Sequence, residues 1–308
     1  MHRIAVIGAG QFGQNHCRIV RESTRAELAA IVDIDSSRAT MVDYRELAGK
    51  VDAAIVATPT AAHAEIGCWL LEHGIDVLVE KPIAPDLESA DRLIAAAKCH
   101  GRILQVGHLE RFNPAVMALE GRVTLPLFFE IHRLSVFSPR SLDVDVILDL
   151  MIHDIDIVLS LTKAEPEEIH GAGVSILSPK VDIANVRLQF PNGCVANMTA
   201  SRVSTERVRK LRLFQPKQYI SLDYARKELL IFSVGGDRQV SFDAVPVTDS
   251  EPLQLQFDAF LDSIESRNSP KTSGAAARQT LRVALAILDK IKEHSEIVSK
   301  SLASGWKL

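Results

Sequence analysis

The pattern of hydrophobic and polar positions changes once along the chain, near residue 122. Before that point, short apolar runs alternate with helical patterns, which is typical of a parallel sheet wrapped by helices. A helix is predicted to begin after an N-cap at Asp86 and to stop at Gly101. The predicted strands are apolar almost throughout, as expected of strands buried on both faces: Arg3–Ile7, Leu28–Val32, Val51–Ala57, Asp76–Glu80 and Arg102–Val106.

After residue 122 the pattern predicts a strand near Leu127–Val136, one long helix over Asp143–Leu161, and then a β-rich region. Pro191-Asn192-Gly193 is expected to be a hairpin turn, because Asn-Gly supplies the positive φ angles of such turns. Short turns between strands predict a mostly antiparallel sheet, open or packed on helices. The remaining predicted elements are the strands Ile169–Ile176, Asp182–Phe190, Cys194–Arg202, Val208–Phe214, Tyr219–Leu222 and Leu229–Val234 and the helices Leu253–Ser266 and Ala275–His294.

Length and composition narrow the class of protein. A chain of 308 residues with 47% hydrophobic and 24% charged residues is typical of a globular protein of about two domains. Its net charge of −4 predicts no general attraction to nucleic acid or to a membrane surface. No apolar run is long enough to span a membrane, so a soluble cytoplasmic protein is expected. Four scattered cysteines predict small buried hydrophobes in a reducing compartment and no metal site: Cys17, Cys68, Cys99 and Cys194.

A glycine-rich motif follows the first predicted strand and opens a helix. It reads Gly8-Ala9-Gly10-Gln11-Phe12-Gly13, and Asp33 ends the next strand 20 residues after Gly13. In a dinucleotide site the three glycines allow a tight turn, contact with the pyrophosphate and close helix packing, while the acid binds the ribose hydroxyls. The alternative is an ordinary glycine-rich turn with an aspartate that caps the following helix.

The identity of the acid bears on the cofactor. A carboxylate at Asp33 accepts hydrogen bonds from a free 2′-hydroxyl and repels a 2′-phosphate, which favours NAD. Arg38 leaves NADP open as the alternative, because it can meet a phosphate. Thr58 and Pro59 follow the third predicted strand and are expected to line the cofactor groove, although Thr-Pro is also a common start of a helix.

Two groups of residues suggest acid–base chemistry. Lys81, in Glu80-Lys81-Pro82, ends a strand at the ligand-binding edge of the sheet, where a lysine can bind a reacting oxygen. Asp149 lies one helical turn before His153, an arrangement that can orient a general base. Asp145 and Asp156 extend this pair to a narrow polar stripe at steps of three and four. The alternatives for the stripe are a buried core histidine and a metal site, but no third metal ligand stands out.

Basic and amide side chains near these positions are candidates for binding a polar substrate. Arg111 and Asn113 follow the fifth predicted strand, while Arg133 and Arg140 belong to the second region. Arginines of this kind can bind a phosphorylated substrate. The alternatives are a capping role for Asn113 and an ordinary surface position for each arginine.

Together these motifs resemble the glucose–fructose oxidoreductase / inositol dehydrogenase / rhizopine catabolism (Gfo/Idh/MocA) family. The resemblance rests on the glycine motif, on Glu80-Lys81-Pro82, on Asp149-x-x-x-His153 followed by Asp154, and on the closing helices around Gly274. It implies an α/β fold with an NAD-binding Rossmann domain over 1–122. It also implies a second α/β domain over 123–308, with a large open sheet that often builds dimers or tetramers.

The resemblance implies that Lys81, Asp149 and His153 are the catalytic residues of a sugar dehydrogenase, with glycine-motif residues and Glu80 at the cofactor. The stretches 107–114 and 140–154 look most like the branch that oxidises C3 of UDP-N-acetylglucosamine, ahead of lipid A assembly. An inositol or free-sugar dehydrogenase of the same family is the alternative substrate assignment. A non-catalytic NAD-binding regulatory protein is the alternative from another class.

Overall fold

A computed structural model describes residues 1–138, 144–236 and 238–303. Its contacts divide the chain into two compact units, of which the first combines Met1–Phe112 with Ser250–Leu281. The second combines Asn113–Asp249 with Arg282–Leu308. These units differ from the predicted domains 1–122 and 123–308, because a late segment of the chain joins the first unit. The domain limits themselves stay a prediction.

Strands and helices are numbered here in chain order over the described residues. The strands are β1 His2–Ile7, β2 Ala26–Val32, β3 Ala53–Val56, β4 Asp76–Glu80, β5 Leu104–Gly107, β6 Phe128–Val136, β7 Glu168–Val174, β8 Ile183–Gln189, β9 Val195–Ser204, β10 Val208–Gln215, β11 Gln218–Asp223, β12 Glu228–Val234 and β13 Val240–Val245. The α-helices are α1 Gln11–Glu22, α2 His63–Glu72, α3 Leu87–Cys99, α4 Pro114–Glu120, α5 Ile152–Thr162, α6 Pro252–Ser266 and α7 Gly274–Ala303.

The first unit contains a five-stranded parallel sheet in the order β2-β1-β3-β4-β5. Every residue of β3, β4 and β5 is buried, which explains why these strands are almost uniformly apolar. Asp86 caps α3 by accepting a hydrogen bond of 2.7 Å from the backbone N–H of Ser89, as predicted. α6 joins this core through Phe257 and Phe260, so a segment distant in sequence completes the unit.

The second unit contains an eight-stranded sheet in the order β13-β12-β11-β10-β6-β9-β8-β7. Only β6 and β9 pair in parallel among these neighbouring strands, so the prediction of a mostly antiparallel sheet is confirmed. Along β6 the residues that face the core alternate with less buried ones. The buried face packs on apolar residues of α4, α5 and the later part of α7.

β13 was not predicted from the sequence, although Val240, Phe242 and Ala244 alternate with Ser241 and Asp243 as expected of a strand. Five of its six residues are exposed. The hairpin turn is present, but among the residues of Pro191-Asn192-Gly193 only Gly193 has a positive φ, of 80°. Asn192 instead accepts a hydrogen bond of 3.1 Å from the backbone of Cys194. The cysteines are free as predicted, but Cys99 is exposed rather than buried.

The long helix predicted over Asp143–Leu161 is wrong at its beginning. A π-helical turn over Ile147–Met151 precedes α5. Asp143 lies outside the described residues. Asp145 precedes the helical turn, and its carboxylate accepts a hydrogen bond of 2.9 Å from the backbone N–H of Val181. Among the described residues, no helix combines the length and apolarity needed to cross a bilayer.

Candidate active site

The glycine motif forms a tight turn between β1 and α1. Gly8 has a φ of 94°, and a Cβ there would lie 2.6 Å from the carbonyl oxygen of Ala57. A Cβ on Gly13 would lie 1.8 Å from the carbonyl oxygen of Gly8, so α1 can approach this closely only with glycine. Gly10, in contrast, has no atom within 4 Å of its Cβ position in the described structure. That open space at a helix N-terminus fits a phosphate group.

A groove of about 860 Å³ lies beside this turn in the first unit. Among its lining residues, Ile34 is almost fully exposed, and Val42 is more than half exposed. Such apolar surface suits the flat ring of a nucleotide. The groove brings together eight of the predicted cofactor residues: Gly8, Gly10, Gln11, Phe12, Asp33, Arg38, Thr58 and Pro59. The arrangement therefore fits a dinucleotide.

Asp33 connects the groove to the glycine turn. Its Oδ2 accepts a hydrogen bond of 2.6 Å from the N–H of Ala9, and its Oδ1 accepts one of 2.9 Å from the N–H of Asp35. Each carboxylate oxygen has a second lone pair, so Asp33 can still accept from ribose hydroxyls. Arg38 forms an ion pair of 3.1 Å with Asp35. The hydroxyl of Thr58 is buried and has no hydrogen-bond partner in the described part of the chain.

Lys81 follows the buried end of β4. Glu80 is buried, its Oε1 lies 2.9 Å from Nε2 of His16, and its Oε2 accepts a hydrogen bond of 3.3 Å from the N–H of Lys81. Lys81 itself is half-buried. Glu80, which was predicted to bind the cofactor, is thus held against α1, and Gly107 provides the space for its carboxylate.

His63 bridges two loops at the same edge of the sheet. Its Nδ1 lies 2.9 Å from the carbonyl oxygen of Pro82, and its Nε2 lies 2.9 Å from that of Thr58. Burial lowers the pKa of His63, although hydrogen bonds to these carbonyl groups oppose the shift. The ring therefore fixes the loop after β3 to the loop after β4, on which Lys81 lies.

In the second unit, Asp149 lies on the π-helical turn and His153 on the first turn of α5. Both side chains are half-buried. π-helical turns within helices are frequent at functional sites, and this one lies where an uninterrupted α-helix was predicted. The polar stripe is not uniform, because Asp156 is fully buried.

Asp154, next to His153, belongs to a buried network. Its carboxylate accepts hydrogen bonds of 2.7 and 2.8 Å from the Nε and one terminal nitrogen of Arg133. The Arg133 guanidinium also lies 5.0 Å from the ring centre of Tyr224. Arg133 is 2% exposed, which argues against the direct substrate contact predicted for it.

The other predicted substrate residues have different surroundings. Asn113 is buried and caps α4, since its Oδ1 accepts a hydrogen bond of 3.1 Å from the backbone N–H of Ala115. Its Nδ2 donates to the carbonyl oxygen of Tyr224 at 3.2 Å, so the capping alternative is the one that the geometry shows. Arg111 lies half-buried on a 3₁₀ turn of the first unit. Arg140 lies outside the described residues.

Sequence reasoning did not single out His16 or His63, or the network of Arg133, Asp154 and Tyr224. A signal was present for His16, which follows Gly13 by three residues and so lies on the same face of α1. Tyr224 had no such signal, because its partners are distant in sequence. In the described residues, no cluster of histidine, cysteine and acidic side chains could hold a metal ion.

The glycine turn and the groove beside it define a dinucleotide-binding fold. The family model described as "Oxidoreductase family, NAD-binding Rossmann fold" matches residues 2–108, and the "GFO/IDH/MocA C-terminal domain" model matches residues 124–220. The chain therefore belongs to the Gfo/Idh/MocA oxidoreductase family, and NAD is its cofactor class.

Individual relatives agree with this assignment. The chain is 35% identical over 301 residues to UDP-N-acetylglucosamine 3-dehydrogenase of Acidithiobacillus ferrooxidans, covering 92% of this chain and 96% of that protein. A solved structure of that enzyme superimposes with a TM-score of 0.90 at 34% identity, over 95% of this chain and 98% of the other. The scyllo-inositol 2-dehydrogenase (NAD(+)) of Bacillus subtilis is 25% identical over 325 residues, covering 94% of each chain.

Proposed function

We propose that this protein uses NAD to oxidise the C3 hydroxyl of UDP-N-acetylglucosamine to a ketone. The observation that carries the proposal is the 35% identity, over 92% of the chain, to an enzyme of that name. The groove and the Asp149–His153 pair of the same chain supply the two kinds of site that such a reaction needs.

The proposed mechanism assigns one step to each polar residue. NAD, when bound along the glycine turn, supplies the acceptor for the hydride from C3. A ring nitrogen of His153 takes the proton of the C3 hydroxyl, and Asp149 orients that imidazole. The ammonium group of Lys81 donates a hydrogen bond to the reacting oxygen. Acid–base assistance of this kind contributes roughly 10²–10⁴-fold to the rate.

The cofactor preference follows from the groove. Asp33 would hold the 2′-hydroxyl of NAD by accepting its hydrogen bond, and its charge would repel the 2′-phosphate of NADP. Arg38, the residue that favoured NADP in the sequence, is paired with Asp35. We therefore assign NAD rather than NADP as the preferred cofactor.

The test measures NADH formation at 340 nm with UDP-N-acetylglucosamine and identifies a 3-keto product by mass spectrometry. His153→Ala is expected to lower kcat by at least about 100-fold, because the proton acceptor is lost, with little change in NADH affinity. His170→Ala is the matched control, since His170 is an exposed histidine of the same unit.

Each alternative has its own outcome in this test. NADH formation with an inositol but not with UDP-sugars would assign the substrate of the B. subtilis relative instead. NADH binding without turnover of any sugar, UDP-sugar or inositol would favour a regulatory NAD-binding protein. Unchanged turnover in His153→Ala would reject the proton acceptor named here.

We further propose a cytoplasmic homodimer or homotetramer that acts on lipid A precursors. The exposed face of the eight-stranded sheet supports the oligomer, because aromatic rings from five neighbouring strands follow one another at centroid distances of 5.8, 4.9, 5.4 and 5.1 Å. These rings are Phe128, Phe214, Tyr219, Phe232 and Phe242. Contiguous exposed apolar surface is characteristic of interfaces.

Light scattering tests the oligomer. Phe242→Glu is expected to shift the mass toward a smaller assembly, because a charge would be buried at the interface. Met117→Glu is the control, since Met117 is 42% exposed on α4, which packs against the opposite, buried face of the sheet. A monomeric wild-type protein would reject the oligomer without affecting the proposed reaction.

A further inference from the structure

Two ionisable side chains form a buried pair in the first unit, and neither is among the residues that line the groove. His16 is 1% exposed and Glu80 is 9% exposed, with 2.9 Å between Nε2 and Oε1. A buried polar pair contributes little net stability compared with apolar side chains of similar volume. The pair therefore matters for the geometry of the two elements it joins, which are α1 and the end of β4.

The hydrogen bonding identifies the donor. A carboxylate only accepts, so Nε2 of His16 donates to Oε1 of Glu80. Nδ1 of His16 is buried and has no partner among the described residues, so a proton there would be an unsatisfied donor. Nε2 is therefore the ring nitrogen through which His16 bonds among the described residues, and His16 acts there as a single hydrogen-bond donor. Glutamine has an equivalent donor at its Nε2.

Glu80 is confined on its other sides as well. A Cβ on Gly107 would lie 2.7 Å from the carboxyl carbon and from both carboxylate oxygens of Glu80. The carboxylate thus occupies the space that a side chain at position 107 would need. The second carboxylate oxygen accepts a hydrogen bond of 3.3 Å from the backbone N–H of Lys81. One carboxylate therefore links α1, β5 and the backbone of Lys81.

This link crosses the sheet. In the order β2-β1-β3-β4-β5, β3 separates β1, which leads into α1, from β4, which leads into Lys81. The bond between His16 and Glu80 connects the two directly, without passing through β3. His16 also packs edge-on against Phe12 of the glycine motif, at a centroid distance of 5.2 Å.

We propose that His16 is a positioning residue, which holds Lys81 at a fixed place relative to the dinucleotide-binding turn by way of Glu80. The role assigned to Lys81 itself rests on the proposed function. Because a displacement of about 1 Å can lower a rate by about 100-fold, the hydrogen bond affects catalysis without contacting the substrate or cofactor.

The test follows Lys81 itself in cofactor-free protein. Lysines are reductively ¹³C-methylated, and the Lys81 signal is assigned by its loss in Lys81→Arg. We expect His16→Leu to move this signal and His16→Gln to leave it near the wild-type position. Arg18→Leu is the matched control, because Arg18 lies on α1 but its side chain is exposed and pairs with Glu22 and Glu251. It should leave the signal unchanged.

Kinetics give a second readout. His16→Leu is expected to lower kcat by about 10–100-fold with the KM for NAD changed by less than about threefold, and His16→Gln is expected to restore most of the rate. If His16→Leu does not fold, His16→Asn replaces it, because the shorter amide cannot reach Glu80.

An unmoved Lys81 signal in the Leu and Asn variants would overturn the inference. A Gln variant as perturbed as the Leu variant would also overturn it, because the donor would then not be the property that matters. If the wild-type protein oxidises none of the tested substrates, the proposed function fails, but the NMR comparison still decides the role of His16.

Discussion

The glycine turn at residues 8–13 and the helix that carries Asp149 and His153 both place polar groups beside a buried core, by different means. The turn depends on the absence of a side chain, since a Cβ on Gly13 would lie 1.8 Å from a backbone oxygen. The helix depends on paired charges, since Asp154 is held at 2.7 Å by a buried arginine. The first region cannot accommodate a side chain at Gly13, and the second cannot lose one charge of its buried pair.

This difference predicts how each region fails. An added methyl group at Gly13 forces the backbone apart and disturbs the phosphate site. Loss of Arg133 from β6 removes the cation that is paired with the buried carboxylate of Asp154 and destabilises the core. The comparison would be wrong if the methyl group at the turn left the backbone in place, or if loss of the arginine left the stability of the core unchanged.

The largest effect is expected at the glycine turn. Gly13→Ala must displace the carbonyl of Gly8, so we expect it to weaken NADH binding by about 100-fold or more and to destabilise the fold by at least about 3 kcal/mol. Fluorescence titration with NADH and thermal unfolding measure the two effects. Gly10→Ala is the matched variant, because its Cβ position has no atom within 4 Å in the described structure.

Gly10→Ala is expected to lose NADH affinity at an unchanged Tm, because its methyl group occupies only the space for the phosphate. If Gly13→Ala bound NADH as the wild type does, the close approach of α1 would not be needed for the site. If both variants lost Tm equally, the distinction between packing and phosphate space would be wrong.

The next effect is expected at the buried ion pair. Arg133→Leu leaves Asp154 as an uncompensated buried charge, which typically destabilises a protein by about 3–5 kcal/mol. The double variant with Asp154→Leu should recover part of that loss, because no charge then remains. Urea unfolding measures both. Arg212→Leu is the control, since Arg212 pairs with Glu130 at 2.9 Å on the exposed side, where such pairs contribute less than about 1 kcal/mol.

An opposite result would restore the substrate role for Arg133. That result would be an Arg133→Leu variant of normal stability whose KM for the nucleotide sugar rises. It would mean that the buried guanidinium reaches the substrate despite its 2% exposure.

The same comparison explains which features could be predicted from the sequence. The glycine turn, Asp33 and the five strands of the parallel sheet were predictable, because local spacing and apolar runs determine backbone geometry. The antiparallel sheet was predictable from the short turns between its strands. β13 was missed although Val240, Phe242 and Ala244 alternate with Ser241 and Asp243, and five of its six residues are exposed.

Charge pairing was not predictable, because it depends on contacts between distant parts of the chain. Arg133 and Asp154 are 21 residues apart, and His16 and Glu80 are 64 apart. Spacing predicted a role for His153, which stays a prediction, but it did not predict the network beside it. The π-helical turn at Asp149 was missed for a related reason, since the same apolar period also fits an uninterrupted α-helix.

The smallest predicted effect concerns Asp182. Its site combines closely packed backbone, as in the glycine turn, with a buried charge, as in the arginine pair. Its buried carboxylate accepts backbone N–H groups from Ile176, Leu177 and Ser178 at 2.7, 2.6 and 3.1 Å. Burial raises the pKa of Asp182, but these hydrogen bonds and the Ser178 hydroxyl outweigh it and leave the pKa below its ordinary value. Nε of Arg202 lies 3.8 Å from Oδ1 of Asp182.

The sign of the pH dependence follows from that lowered pKa. A carboxyl group of this kind stabilises the fold above its unfolded pKa of about 3.9, and the contribution is lost as pH falls through the folded pKa. Asp182→Asn is expected to destabilise the protein by about 1–3 kcal/mol at pH 7, because it removes a charged acceptor. The difference from wild type should shrink below about pH 4.

Urea unfolding from pH 7 down to the acid limit of the fold measures this difference. Asp249→Asn is the control, since Asp249 is 96% exposed although Lys227 also lowers its pKa, and solvent weakens that pair. A difference for Asp182→Asn that stayed constant into acid would mean that the shape of the side chain, and not its charge, organises the backbone N–H groups. Asp182 would then belong with the glycine turn, where packing decides, rather than with the buried arginine pair.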